Sequence, residues 1–311
     1  MPTDKTRSAV FVGEVALRSP LIIASGTWPH GPEYWRDPVT FGVGAACTKA
    51  LTLYPRAGNT GIRVWETPCG LLNSIGLQNF GLQHFLRIDL PALSAGDVEV
   101  VANVAMETEE ETAKVLFALS EEQHFLAAVE LNISCPNVDG GGMAWGSDPS
   151  QAARAIRIAR ENWKGPLWVK LTPQCGDIAI VAQAAEDAGA DALVVANTWL
   201  GMAIDTKTES PVFARKYAGL SGPAVFPLSL RLVWEVSSAV GIPVIGCGGV
   251  SRVEDVLSMM LAGASAVEIG TLHFTDLSCF SRLEQDFLEY LSVKGYASAM
   301  ELIGKGKTKI D

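Results

Sequence analysis

The sequence predicts an α/β protein folded as a (β/α)8 TIM barrel, with insertions over the C-terminal mouth of the strands. Three observations lead there. The chain has 311 residues, which suits a barrel of roughly 250 residues with additions. Eight short apolar runs recur along its length, and stretches of helical periodicity alternate with most of them. No Pro/Gly/Ser-rich linker interrupts the alternation, which favours a single domain over 1–311 against a doubly wound sheet or two smaller domains.

The runs are LIIASG (21–26), AACTKA (45–50), EVVANVA (99–105), AAVELNIS (127–134), PLWVKLT (166–172), ALVVANT (192–198), PVIGCGG (243–249) and AVEIGT (266–271). Each begins almost continuously apolar, as a strand buried on both faces must. Amphipathic candidates lie between them: EEETAKVLFALSEE after the third, DPSQAARAIRIAREN after the fourth and DIAIVAQAAEDAGA after the fifth. PLSLRLVWEVSSAV and RVEDVLSMMLAGA follow the sixth and seventh. Two long segments, about 51–98 and 199–226, break the rhythm. Both follow strand C-termini, the end where barrels carry their active sites, so both are expected to cover the site. The short basic tail GKGKTKID is expected to fray.

Composition narrows the function. An apolar fraction of 48% with 19% charged residues describes a chain with a sizeable core. The net charge of −10 disfavours a broad nucleic-acid-binding face, because such binding needs Lys and Arg to neutralise phosphates. The six cysteines have no paired spacing and are read as reduced thiols of a cytoplasmic protein. No apolar stretch approaches the length of a membrane span, and the N-terminus has no signal-peptide core.

The strand ends are rich in polar groups. In order they supply Ser25, Lys49, Asn103, Asn132 with Cys135 and Asn137, Lys170, Asn197 with Thr198, Gly248 with Gly249, and Gly270 with Thr271. All should converge on one mouth. GCGGVS and IGT lie after strands seven and eight, where barrels commonly bind phosphate through backbone N–H groups. Neither GxGxxG opening a helix after a first strand nor GxxxxGK[ST] occurs, so the phosphate would belong to a mononucleotide cofactor such as FMN. Lys49 and Lys170 end apolar strands, where an ammonium needs an anion. Each could sit in a structural salt bridge; with a flavin bound, one could stabilise charge at flavin N1 and O2 and the other hold a substrate carboxylate. Asn73, Asn132, Asn137 and Asn197 offer neutral amides suited to reading a planar pyrimidine. The four histidines show no metal-ligand spacing, and neither HExxH nor GxSxG is present. No metal site is expected.

The segments ASGTW, TKALTLYPRAGNTGIRVWETPCGLLNSIGLQN, LNISCPNVDGGGMAWGSDP, VKLTP, VVANT, LSGPA, GCGGV and IGT, in this order and spacing, resemble the dihydroorotate dehydrogenases from about residue 9 to the C-terminus. The Cys in SCPN is similar to class 1, where class 2 has Ser. NVDGGGMAWGSDP and TKALTLYPRAGN are more like the NAD-linked subclass 1B than the fumarate-linked 1A, which stays the alternative. A barrel beginning near residue 21 leaves no room for the membrane-associating extension of class 2. Trp28 and Trp145 stand where Phe is expected, keeping aromatic character.

The resemblance implies oxidation of dihydroorotate to orotate in pyrimidine biosynthesis. Cys135 would be the base that removes the C5 proton, with hydride passing from C6 to FMN. FMN contacts would come from Ser25, Lys49, Ala50, Asn103, Asn132, Lys170, Ala196, Gly222, Gly248, Gly249, Gly270 and Thr271. Substrate contacts would come from Lys49, Asn73, Ser74, Ile75, Gly76, Leu77, Asn132, Asn137, Asn197 and Thr198. The chain lacks an NAD fingerprint and clustered cysteines for an iron–sulfur centre. The resemblance therefore implies a homodimer core joined to a partner subunit carrying FAD and a [2Fe-2S] cluster that reduces NAD. A dihydropyrimidine dehydrogenase-like subunit, a non-catalytic flavin-binding barrel and a phosphate-binding aldolase are the competing readings.

Overall fold

The computed structural model describes residues 4–27, 41–134 and 145–309. All eight apolar runs become strands of one closed parallel barrel: β1 (Leu21–Ile23), β2 (Ala45–Cys47), β3 (Glu99–Ala105), β4 (Ala128–Asn132), β5 (Leu167–Lys170), β6 (Ala192–Val195), β7 (Val244–Cys247) and β8 (Ala264–Ile269). Each pairs with its neighbours in sequence, and β8 closes the ring on β1 with Val267 opposite Leu21. Every residue of β1, β2, β4, β5, β6 and β8 is buried, which is why these strands read as continuous apolar runs rather than alternating ones.

The five expected helices form: α1 (Glu109–Ser120), α2 (Pro149–Asn162), α3 (Ile178–Asp187), α4 (Phe226–Ala239) and α5 (Val253–Leu261). Local chemistry starts three of them. The side chains of Thr108, Asp148 and Asp177 accept hydrogen bonds from the first free backbone N–H groups of α1, α2 and α3. A sixth, α6 (Cys279–Lys294), was not among the expected helices. It still buries Phe280, Leu283, Phe287 and Leu291 along one stripe.

Two further differences from expectation concern the ends of the chain. An antiparallel hairpin, Val10–Val12 against Val15–Leu17, precedes the barrel, and its turn at Gly13 lies against the carbonyl of Asp191 just before β6. It closes the N-terminal end of the barrel, the side away from the site. The basic tail does not fray through Lys305–Lys309, which form a 3-10 turn. Lys307 Nζ donates to Ser237 Oγ at 2.8 Å and lies over the Trp234 ring, while Lys305 lies over Tyr296, so cation–π contacts hold it down.

The two insertions fold together. Strands Trp199–Met202, Tyr217–Ser221, Gly70–Asn73 and Val64–Thr67 form one antiparallel sheet in that order, with Gly219 opposite Asn73 joining the two segments. Leu72 and Ala218 pack with Val212 and Phe213 in a small core of their own. Cys69, in the turn between the last two strands, is exposed. Cys47 and Cys279 are buried. No helix among the described residues is long and apolar enough to cross a membrane.

Trp168 fills the barrel interior two residues before Lys170 on the same strand face, and it is fully buried. Trp168→Ala should lower the unfolding free energy by about 3–5 kcal/mol, read from urea titration. A loss well under about 1 kcal/mol would show that this layer collapses around the void.

Candidate active site

A cavity of about 620 Å³ opens at the C-terminal ends of the strands, bounded on its outer side by the inserted sheet. Strand alternation turns Asn73, Gly219, Leu71 and Tyr217 of that sheet toward it. The barrel strands and the loops that follow them supply the rest of the wall.

Lys170 ends β5 and is buried. Its ammonium lies 2.5 Å from Glu268 Oε2 on β8 and 3.5 Å from Glu130 Oε1 on β4. Burial opposes its charge, but the two carboxyls outweigh burial and hold it protonated. Glu268 is pushed up by burial and pulled further down by Lys170 and its hydrogen bonds, so it ends below the usual carboxylate range. Glu130 is raised well above it by burial and by the charge of Glu268. Cys47, Glu130 and Glu268 together have the donor set of a small cation site. The cation they surround is the Lys170 ammonium.

Lys49, just beyond β2, is the opposite case. It lines the cavity, its ammonium has no ion pair or hydrogen bond among the described residues, and burial alone lowers its pKa. Gly26 makes room for it. A Cβ at Gly26 would stand 3.1 Å from Lys49 Nζ, and the backbone there takes a φ of +84 that disfavours other residues. The two lysines of the wall thus differ: carboxyls neutralise Lys170, and among the described residues none meets the Lys49 ammonium.

Amides line the wall between them. Asn132 Oδ1 accepts from the backbone N–H of Ser134 at 3.1 Å and from Ser134 Oγ at 2.5 Å. Asn197 Nδ2 donates to Ser134 Oγ at 2.5 Å, and Asn197 Oδ1 accepts from the Thr198 N–H at 2.7 Å. Ser134 therefore ties the two asparagines together. It was missed in the sequence, although its place two residues after Asn132 puts both on one face. Across the cavity, Asn73 Nδ2 donates to the Gly219 carbonyl at 3.3 Å. Two asparagines hold the loop from Ser74 to Leu77: Asn59, itself on the cavity wall, donates from Nδ2 to the Ser74 carbonyl and hydroxyl, and Asn79 Nδ2 donates to the Leu77 carbonyl at 2.7 Å.

Backbone turns complete the far end. Gly249, at φ +83, packs so closely on the start of α4 that a Cβ would collide with the Phe226 backbone. Gly248, Gly249, Gly270 and Thr271 all reach the cavity, as do Ser221 and Gly222. Thr271 Oγ1 donates to Ser221 Oγ at 2.8 Å, joining the eighth-strand turn to the second insertion.

Of the expected contact residues, Ser25, Lys49, Ala50, Asn132, Lys170, Ala196, Gly222, Gly248, Gly249, Gly270 and Thr271 line the cavity. So do Asn73, Ser74, Ile75, Gly76, Leu77, Asn197 and Thr198. Asn103 does not. It is fully buried, and its amide nitrogen donates to Glu130 Oε1 behind the wall. Its inward direction was correct, but its depth on β3 places it below the cavity. Cys135 and Asn137, with Trp28, lie outside the described residues. Trp145 is described, and its indole N–H donates to the Glu107 carbonyl at 3.2 Å. Glu268, Ser221 and Gln174 also line the cavity and were not foreseen.

The family model for dihydroorotate dehydrogenase matches residues 8–291. The catalytic subunit of dihydroorotate dehydrogenase B (NAD(+)) from Thermoanaerobacter sp. (strain X514) is 44% identical over 298 residues, covering 96% of this chain and 98% of that protein. The protein of the same name from Geobacter sp. (strain M21) is 42% identical over 296 residues, covering 95% and 97%. The crystal structure of DHODH in complex with ferulenol from Eimeria tenella superposes with a TM-score of 0.80 at 19% identity, covering 100% of this chain and 91% of that one, a likeness of fold. With the motif order, the barrel and these full-length relatives in agreement, the chain belongs to the dihydroorotate dehydrogenase family.

Proposed function

We propose that this chain is the FMN-binding catalytic subunit of an NAD-linked dihydroorotate dehydrogenase, oxidising dihydroorotate to orotate in pyrimidine biosynthesis. The observation that carries the reading is Lys49: a buried ammonium with no partner among the described residues, its pKa lowered by burial, on a cavity wall that also holds neutral amides, the Lys170–Glu268 pair, Glu66 and Arg215. Such a site suits a flat polar ring bearing one carboxylate.

The residues present fit FMN. Gly222 ahead of α4, and Gly248, Gly249, Gly270 and Thr271 after strands seven and eight, bring backbone to the cavity, suited to a phosphate. Ser25, Ala50, Asn132 and Ala196 would border the ring, with Lys170 at the edge where negative charge collects on reduction. Asn103 would act from behind, through Glu130. When bound, FMN supplies the acceptor for hydride from C6 of the substrate.

The chain's own residues do the rest. Lys49 pairs with the substrate carboxylate, while the loop Asn73 to Leu77, with Asn132, Asn137, Asn197 and Thr198, fixes the ring's orientation. Cys135 takes the proton from C5, so the substrate loses a proton and a hydride and gains a C5–C6 double bond. The inserted sheet limits water at the reacting face. Electrons then leave for NAD through a partner subunit carrying FAD and a [2Fe-2S] cluster, joined to a dimer of this chain. The relatives' designation as NAD(+)-linked catalytic subunits supports that route.

The direct test is an anaerobic absorbance titration. Adding dihydroorotate to the purified yellow protein should bleach the flavin band, and a colourless protein that takes up no FMN refutes the reading. NAD reduction should be slow with this chain alone and fast with the partner; equal rates refute the partner route, and rapid reoxidation by fumarate points to the fumarate-linked mode. Cys135→Ala should lose about 10²–10⁴-fold in turnover while still binding FMN and orotate, the usual range for a general base. Lys49 carries charge only below its lowered pKa, so KM for dihydroorotate should rise with pH through a range below that of an ordinary lysine. In Lys49→Met, KM should be high at every pH; an unchanged KM profile would remove the carboxylate role.

A further inference from the structure

Five groups surround the Lys170 ammonium in the interior under the cavity: Glu268 from β8, Glu130 from β4, Cys47 from β2, Cys247 from β7 and, through Glu130, Asn103 from β3. Cys47 Sγ lies 3.5 Å from Glu268 Oε1 and 3.9 Å from Glu130 Oε2. Carboxyl oxygens of Glu130 and Glu268 lie within 4.8 Å of each other, both against the one ammonium, close enough that a proton on either disfavours a second. Charge balance agrees. One ammonium and two carboxylates would leave a net negative charge in a dry interior, at a cost of several kcal/mol. Burial raises both thiols well above their usual range, so neither Cys47 nor Cys247 adds charge.

The two carboxyls stand at different depths. Glu268, Lys170 and Cys247 reach the cavity wall, whereas Glu130, Cys47 and Asn103 do not. A proton on Glu130 therefore leaves the negative charge near the cavity, and a proton on Glu268 withdraws it.

We propose that Glu130 and Glu268 hold one proton between them, and that its position, acting through Lys170, sets how readily the flavin in the cavity accepts negative charge. This rests on the FMN reading above. With oxidised flavin the proton sits on Glu130 and Glu268 is the carboxylate. When reduction brings negative charge to the cavity side, the O–H bond on Glu130 breaks and one forms on Glu268, with no net exchange of protons. The remaining carboxylate, now Glu130, is still within 3.5 Å of Lys170 Nζ. Lys170 is left free to face the flavin. Glu130 and Glu268 are positioning residues, since both act through Lys170.

Glu130→Gln and Glu268→Gln in the flavin-bound protein test this, because each fixes the charge at one depth. Glu268→Gln leaves the carboxylate on Glu130, away from the cavity, so the ratio of reduced to oxidised flavin at a fixed potential should rise by about tenfold, a single-unit change in charge stabilisation. Glu130→Gln pins it on Glu268, and the ratio should fall by a similar factor. A merely structural pair would move both variants in one direction or neither, which overturns the proposal. Infrared spectra give a second readout. The wild type should show a buried protonated-carboxyl stretch that shifts on flavin reduction, and either single variant should lose it, because one carboxylate suffices for Lys170. A wild type without that band overturns the proposal even if neither variant folds. A chain that takes up no flavin instead refutes the FMN reading, and the infrared band still decides the shared proton.

Discussion

Placing a lysine ammonium in the dry centre of a barrel is the constraint on which the rest of this structure turns. Lys170 is tenable only because Glu268 and Glu130 reach it from β8 and β4. Those two strands are neighbours of β5 only through the closed ring or by direct pairing, so the ion cluster requires the barrel's register. Asn132 opposite Lys170 and Asn103 opposite Glu130 record that register strand by strand. A slip by one residue would turn the charged side chains outward among the helices. Buried clusters of this kind generally stabilise a fold less than well-packed apolar groups would. Their presence here is better explained by what Lys170 must face than by stability.

Lys49 shows the alternative solution to the same problem. It sits on the same wall, yet no carboxyl from the described residues meets it, and Gly26 keeps the space beside it clear. Two lysines at strand ends, indistinguishable in sequence, thus have opposite electrostatic fates. One has its charge balanced by the protein; the other depends on what enters the cavity. The inserted sheet makes that difference matter, because covering the mouth lowers the local dielectric and strengthens every remaining interaction. Each insertion supplies one hairpin of that cover, and the pairing of Gly219 with Asn73 joins the two above the barrel.

The barrel was legible because strands buried on both faces leave continuous apolar runs, and all eight runs became strands. Most of the cavity-lining residues were legible because the polar groups of a barrel concentrate at its strand ends, and the motifs fell on those ends. What the sequence did not show depends on distance and depth. Glu268 sits inside an apolar run, and nothing local indicates that it points at a lysine 98 positions earlier. Asn103 looks like Asn132, yet it lies one level lower in the barrel and never meets the cavity. Asn59 and Asn79 hold the Ser74 to Leu77 loop in place, which only the folded loop reveals. The apolar stripe of α6, Phe280, Leu283, Phe287 and Leu291, is complete once the segment is phased as a helix.

These features divide the barrel along its axis. Below the cluster, Trp168 and the apolar strand residues are packed without exposure, and the N-terminal hairpin closes that end over Val10 and Leu17. Above it lie a desolvated lysine, linked amides and glycine turns pressed against α4, none of which a stability criterion alone would select. Lys49 makes the opposition explicit. Because burial lowers its pKa, folding must strip solvation from its charge, and this cost is present below the folded pKa and declines as pH rises toward the ordinary lysine value. An anion bound beside Lys49 reverses the sign of that contribution by restoring a reason to hold the proton. Free energy spent in folding the empty site is therefore returned when the site is filled, which couples ligand binding to the stability of the mouth while the closed lower end stays unaffected.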